Sequence, residues 1–127
     1  MTPNKYPTSL FSSNLEFKNE NTYGGQLSIA GCSAESLVKE FGSPLYVIDQ
    51  DDFYLRTKAW KSALDNEFES NNLYYAAKSF ISIEVAKWLK ELNVGLDVCS
   101  GGELLVALAA KFPAANIEFH GNNKSES

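Results

Sequence analysis

The chain has 127 residues, 44% of them hydrophobic and 13% aromatic, with 11 basic against 16 acidic side chains and a formal charge of −5. That composition lies far from the disordered class and supports one ordinary core, while the acidic balance, without Lys and Arg interleaved with aromatics, argues against a nucleic-acid partner. No apolar run reaches the roughly 18 residues of a membrane span, and the opening "MTPNKYPTSLFSSNLEF" lacks the apolar core of a secretory signal, so no membrane contact and a cytoplasmic location are expected.

Residues 1 to about 24 are rich in Asn, Ser, Thr and Lys, contain Pro3 and Pro7 and close on Tyr23-Gly24-Gly25. This composition predicts an extended arm. A short strand-like "QLSIAG" follows. Ser33 then reads as a helix cap, with Glu35 in the first turn, apolar Leu37, Val38 and Phe41, and Gly42 as the stop, which predicts a two-turn helix. "PLYVID" (44 to 49) is a short β-rich run, and Asp49 and Asp51 at its end suit the N-terminus of a further helix. Phe53, Trp60, Leu64 and Phe68 give that helix an apolar stripe, expected to be core.

From residue 71 the pattern is strand "LYYAA", helix "SIEVAKWLKEL", strand "GLDVC", helix "GGELLVALAAKF" and strand "NIEFH". Strands separated by amphipathic helices imply right-handed crossovers and a parallel sheet, because a tight hairpin cannot reach a parallel neighbour. With helices on one side only, three such strands leave the other face and an edge uncovered.

In parallel β/α folds the reacting groups sit on the loops after the strand C-termini. Lys78 follows the first of these strands. Asp97, Ser100, Gly101 and Gly102 lie in and after the second, and His120, Gly121, Asn122, Asn123 and Lys124 follow the third. Strands about 4.8 Å apart bring such groups within reach of one planar ligand. An amine that loses hydration at an apolar rim deprotonates more easily and becomes a usable nucleophile, and an imine to an aldehyde cofactor is its natural use.

Plainer roles exist for each residue. Lys78 can be a solvated lysine, Asp97 a turn acid, Ser100 with its glycines a cap and tight turn, His120 a hydrogen-bonded core residue, and "GNNK" an Asn-rich turn. Cys32 and Cys99 lack metal-site spacing and are expected to be reduced and buried.

Together "YYAAKSF", "GLDVCSGGEL" and "FHGNNKS" resemble the N-terminal third of the diaminopimelate decarboxylases, pyridoxal-phosphate enzymes of the alanine-racemase-like barrel class. The resemblance runs from about Gly42 to the last residue. It implies an α/β fold: the N-terminal part of a (β/α)8 TIM-type barrel, incomplete in this chain, preceded by a segment of a companion β-domain. The organisation then reads as an arm and β-domain segment over 1–43, a connecting strand and helix over 44–70, and the first three strands and two helices of the barrel over 71–127.

The resemblance also implies pyridoxal 5′-phosphate as cofactor, bonded covalently to Lys78 as the catalytic residue, with Asp97, His120 and Asn122 beside it. It implies meso-diaminopimelate as substrate, L-lysine and carbon dioxide as products, and a homodimer at full length. Many members read Lys-Ala-Asn where this chain reads Lys-Ser-Phe, so Ser79 and Phe80 depart from the commonest form. A closed barrel takes about 250 residues. The chain is therefore expected to be an inactive fragment, with the phosphate-binding loop and the acid for the pyridine nitrogen supplied beyond residue 127. Two other readings are a non-catalytic pyridoxal-phosphate-binding barrel serving cofactor homeostasis and a related ornithine or arginine decarboxylase. A third is a plain α/β scaffold.

Overall fold

The computed structural model describes residues 14–18 and 26–121. It divides into two compact units, Met1–Arg56 and Thr57–Ser127.

In the first unit, strand β1 (Leu15–Lys18) pairs antiparallel with β2 (Gln26–Ile29), Leu15 facing Ile29 and Lys18 facing Gln26. A two-residue turn returns the chain into β3 (Cys32–Ser33), antiparallel to β2. Ala30 (φ 49°) and Gly31 (φ 78°) both have positive φ, the requirement of a type I′ hairpin whose twist matches its strands. β1 falls within the expected arm, so at least this part of the arm is a strand; a polar sequence gains sheet hydrogen bonds once a partner lies alongside. Apart from Asn14, the remainder of the arm lies outside the described residues.

Helix α1 (Ala34–Phe41) begins and ends as its sequence predicts: the Ser33 hydroxyl accepts the Ser36 N–H at 3.1 Å, and Gly42, at φ 85°, donates its N–H to Val38 at 2.8 Å. "PLYVID" forms no strand. Its Tyr46 is 90% exposed, and no described segment offers it a ladder; β-propensity alone does not make a strand. Asp49 does cap α2 (Gln50–Glu67), its carboxylate accepting the N–H groups of Asp51 and Asp52 at 3.0 and 3.2 Å. The aromatic stripe of α2 is not core. Trp60 is 67% exposed, and Phe68 lies past the helix end and is also exposed.

The second unit holds β4 (Tyr74–Ala76), α3 (Ile83–Glu91), β5 (Gly95–Val98), α4 (Gly101–Ala109) and β6 (Ile117–Phe119). The sheet order is β4-β5-β6, all parallel, with Ala76 beside Asp97 and Asp97 beside Glu118. Side chains alternate across a strand. Leu96 and Val98 are fully buried on the face that packs with Val85, Ala86 and Leu89 of α3 and Ala107 of α4. Gly95 and Asp97 point to the opposite face, shared with exposed Glu118. β4 and β6 are the edge strands of this sheet.

Both helices of this unit stop in the same way. Asn93 (φ 52°) and Lys111 (φ 54°) adopt left-handed conformations. Val94 N–H bonds Leu89 C=O at 3.0 Å, and Phe112 N–H bonds Ala107 C=O at 3.0 Å. These are Schellman ends, with buried Val94 and Phe112 supplying the apolar contact and a non-glycine residue at the left-handed position. The turns fix where β5 and β6 begin, and hence the register that sets which residues reach the far end of the sheet.

Candidate functional site

The site lies at the C-terminal ends of the three parallel strands. After β4 the chain makes one 3₁₀ turn, Ala77–Ser79, packed against β5. Ala77 is buried and Lys78 is exposed. The expected shielding of the lysine from water is therefore absent among the described residues, because the barrel wall that could cover it is not among them. No described residue makes a hydrogen bond or ion pair with the Lys78 amine.

Two hydroxyls hold the turn. Ser79 Oγ lies 2.8 Å from the Ala76 carbonyl and 3.1 Å from Tyr75 Oη, and the Tyr75 hydroxyl donates to the Phe80 carbonyl at 2.8 Å. The departure from Lys-Ala-Asn thus has a structural use: Ser79 ties the turn in which Lys78 sits.

Asp97 follows from the register. As the partner of Ala76, it stands two residues short of the level of Lys78 on the adjacent strand. His120 N–H donates to Val98 C=O at 2.8 Å, extending the β5–β6 ladder one step and turning the imidazole to the face that carries Asp97. There His120 Nδ1 meets Asp97 Oδ1 at 2.5 Å, with the histidine side chain 63% exposed and the aspartate 20%. His120 is therefore hydrogen-bonded, but not in a core. Gly121 (φ 118°) then lets the chain pass Cys99, whose carbonyl a Cβ would approach to 3.4 Å. Asn122 lies outside the described residues.

The turn after β5 satisfies itself. Ser100 Oγ accepts the Glu103 N–H at 3.3 Å, and Glu103 reaches back to accept the Cys99 N–H at 2.8 Å. This is a variant of the capping box in which the carboxylate bonds the N–H of the residue before the cap rather than that of the cap itself. Glu103 went unread in the sequence although Ser100-x-x-Glu103 carries the signal. Its carboxylate thus sits beside the start of α4, where an acidic side chain suits the helix N-terminus. Tyr75 and Ser79 were likewise missed, since their role appears only once the turn is folded. Cys32 and Cys99 are free thiols and exposed, not buried as expected: Cys32 opens the two-residue β3 beside the hairpin turn, and Cys99 lies in the turn after β5.

Beside the turn, along the outer edge of β4, an apolar cavity of about 380 Å³ is lined by residues that include Trp60, Leu73, Tyr75, Ser79 and Leu89. Among the described residues no group of His, Cys, Asp and Glu could hold a metal ion. No helix there is long and apolar enough to cross a membrane.

A parallel sheet of three strands joined by helices, with Lys78, Asp97 and His120 placed at the C-terminal ends of its strands, is the arrangement of a β/α-class domain. Residues 50–127 match the family model described as pyridoxal-dependent decarboxylase, pyridoxal binding domain, and the chain belongs to that family. It is 48% identical over 101 residues to the diaminopimelate decarboxylase of Mycobacterium leprae, a match covering 80% of this chain and 21% of the relative. To that of Bacillus subtilis it is 44% identical, covering 80% and 23%.

Among solved structures, the diaminopimelate decarboxylase of M. jannaschii superposes with a TM-score of 0.70 at 30% identity, over 90% of this chain and 26% of that one. AQ1208 from Aquifex aeolicus gives 0.69 at 34% identity, over 89% and 26%. The expected fold class holds: an α/β chain whose parallel sheet is part of a barrel. The chain spans between a fifth and a quarter of the length of the curated relatives, rather than the third its motifs suggested, and the likeness reaches further along this chain than the motifs did.

Proposed function

We propose that this chain is the amino-terminal part of a diaminopimelate decarboxylase, which converts meso-2,6-diaminopimelate to L-lysine and carbon dioxide with pyridoxal phosphate, in the cytoplasm and as a homodimer. The observation that carries the reading is the placement of the Lys78 turn and the Asp97–His120 pair after neighbouring strands at one end of a parallel sheet, in a chain 48% identical to a relative of that name. That identity favours it over the cofactor carrier and over ornithine or arginine decarboxylase. A solved neighbour is a complex with L-lysine, the product this reading assigns.

The residues fit the aldehyde end of the cofactor. Lys78 offers an exposed amine with no competing partner among the described residues. Asp97 supplies a carboxylate on the neighbouring strand, and His120, which bonds it, fixes that carboxylate's orientation. Asn122, two positions after His120 in the sequence, is proposed as a further cofactor contact. When bound, pyridoxal phosphate supplies an electron sink for the electrons released as carbon dioxide departs. Lys78 would tether the group, Asp97 would offer it a carboxylate from the neighbouring strand, and the His120 ring limits how far Asp97 can swing. At the start of α4, Ser100 accepts the Glu103 N–H and Glu103 accepts the Cys99 N–H. By this reading the phosphate and pyridine-nitrogen partners belong to the part of the relatives' length that this chain does not span, so the 127-residue chain alone releases no carbon dioxide.

The test is release of carbon dioxide from meso-diaminopimelate by the full-length protein, with an equal amount of L-lysine formed. Absence of release, or release that persists in Lys78→Ala, would refute the reading.

A further inference from the structure

We infer that Ser79 and Tyr75 are positioning residues for Lys78: the two hydroxyls close the 75–80 segment into a clamp that presents the lysine amine to an aldehyde ligand. The inference rests on the proposed role of Lys78 and deepens it.

The turn is short. Lys78 lies inside two nested closures, the inner one from Ser79 Oγ to the Ala76 carbonyl (2.8 Å) and the outer one from the Tyr75 hydroxyl to the Phe80 carbonyl (2.8 Å). The closures touch where Ser79 Oγ meets Tyr75 Oη at 3.1 Å. Two hydroxyl protons serve these three oxygen contacts, so when Tyr75 donates to Phe80, Ser79 has one proton to divide between Ala76 and Tyr75. Neither closure touches the lysine side chain. They act through the backbone, and they matter because no described residue holds the amine itself. Remove a closure and the turn gains conformations in which the amine points elsewhere, so a smaller share of the population is ready to react.

The probe is pyridoxal phosphate with borohydride on the 127-residue chain, followed by peptide mapping. The lysine nitrogen bonds the aldehyde carbon as water leaves, and hydride from borohydride makes the bond permanent. The other lysines of the chain serve as internal references. Lys78 is expected to be labelled fastest in the unsubstituted chain. Ser79→Ala and Tyr75→Phe are each expected to slow labelling at Lys78 by about three- to tenfold, the range of one lost hydrogen bond, with the other lysines unchanged. Ser79→Thr, which keeps the hydroxyl, is expected to restore the rate to within about twofold.

If Lys78 is fastest in the unsubstituted chain yet unaffected by Ser79→Ala and Tyr75→Phe, the clamp is refuted and the role of Lys78 stands. Labelling in Ser79→Thr as slow as in Ser79→Ala, or a uniform fall at every lysine, also refutes the clamp. If Lys78 in the unsubstituted chain is labelled no faster than its references, both the clamp and the role assigned to Lys78 fall.

Discussion

Gly95 begins β5 where the ring of Tyr74 lies across it, and replacing it by alanine tests the packing that sets the sheet. A Cβ built at Gly95 overlaps the ring at Cδ1 and Cε1. Strand separation cannot absorb the clash, because Gly95 N–H is bonded to the Leu73 carbonyl at 2.8 Å and Tyr74 is paired with Gly95 in the ladder. The ring must turn. Overpacking of this kind costs about 1–3 kcal/mol. Alanine in place of glycine within a strand returns about 0.5–1 kcal/mol of backbone entropy, so the net loss is about 0–2.5 kcal/mol.

The sign should reverse in a Tyr74→Ala background, where the clash is gone: there Gly95→Ala stabilises by about 0.5–1 kcal/mol. Urea unfolding of the four chains of the cycle, followed by far-UV circular dichroism, reads both numbers. An equal effect in both backgrounds would refute the steric account.

Two further substitutions probe the helix ends. Ser100→Ala removes the cap that accepts the Glu103 N–H and should cost about 1 kcal/mol of stability in the same unfolding assay. Lys111→Gly removes the steric cost of a left-handed non-glycine residue at the end of α4 and should raise stability by about 0.5–1 kcal/mol; a loss would mean that the Lys111 side chain makes a contact that outweighs its strain.

Much of the second unit was legible because each of its elements carries its own local reason. The amphipathic period of α3, the cap at Ser100 and the apolar alternation around Asp97 need no distant partner to be read. The placement of Asp97 and His120 at one sheet end followed from parallel topology alone, and their hydrogen bond follows from it. What failed was everything that depends on a neighbour. "PLYVID" has the residues of a strand but no described strand beside it, and Trp60 has the period of a core residue but borders a surface cavity instead. β1 reads as polar arm until β2 is set against it. The hydration of Lys78 is the same kind of property, since what shields an amine is whatever lies opposite it. Ser79 could be seen as a departure from the common pattern, but its two contacts exist only in the folded turn.

The central claim is that Lys78 holds an aldehyde cofactor beside Asp97 and His120. The most direct measurement is the visible absorption spectrum of the full-length protein with pyridoxal phosphate. The original protein is expected to develop a protein-bound cofactor band that is lost in Lys78→Ala and retained in Lys87→Ala. A band that survives Lys78→Ala, or none in the original, contradicts the claim.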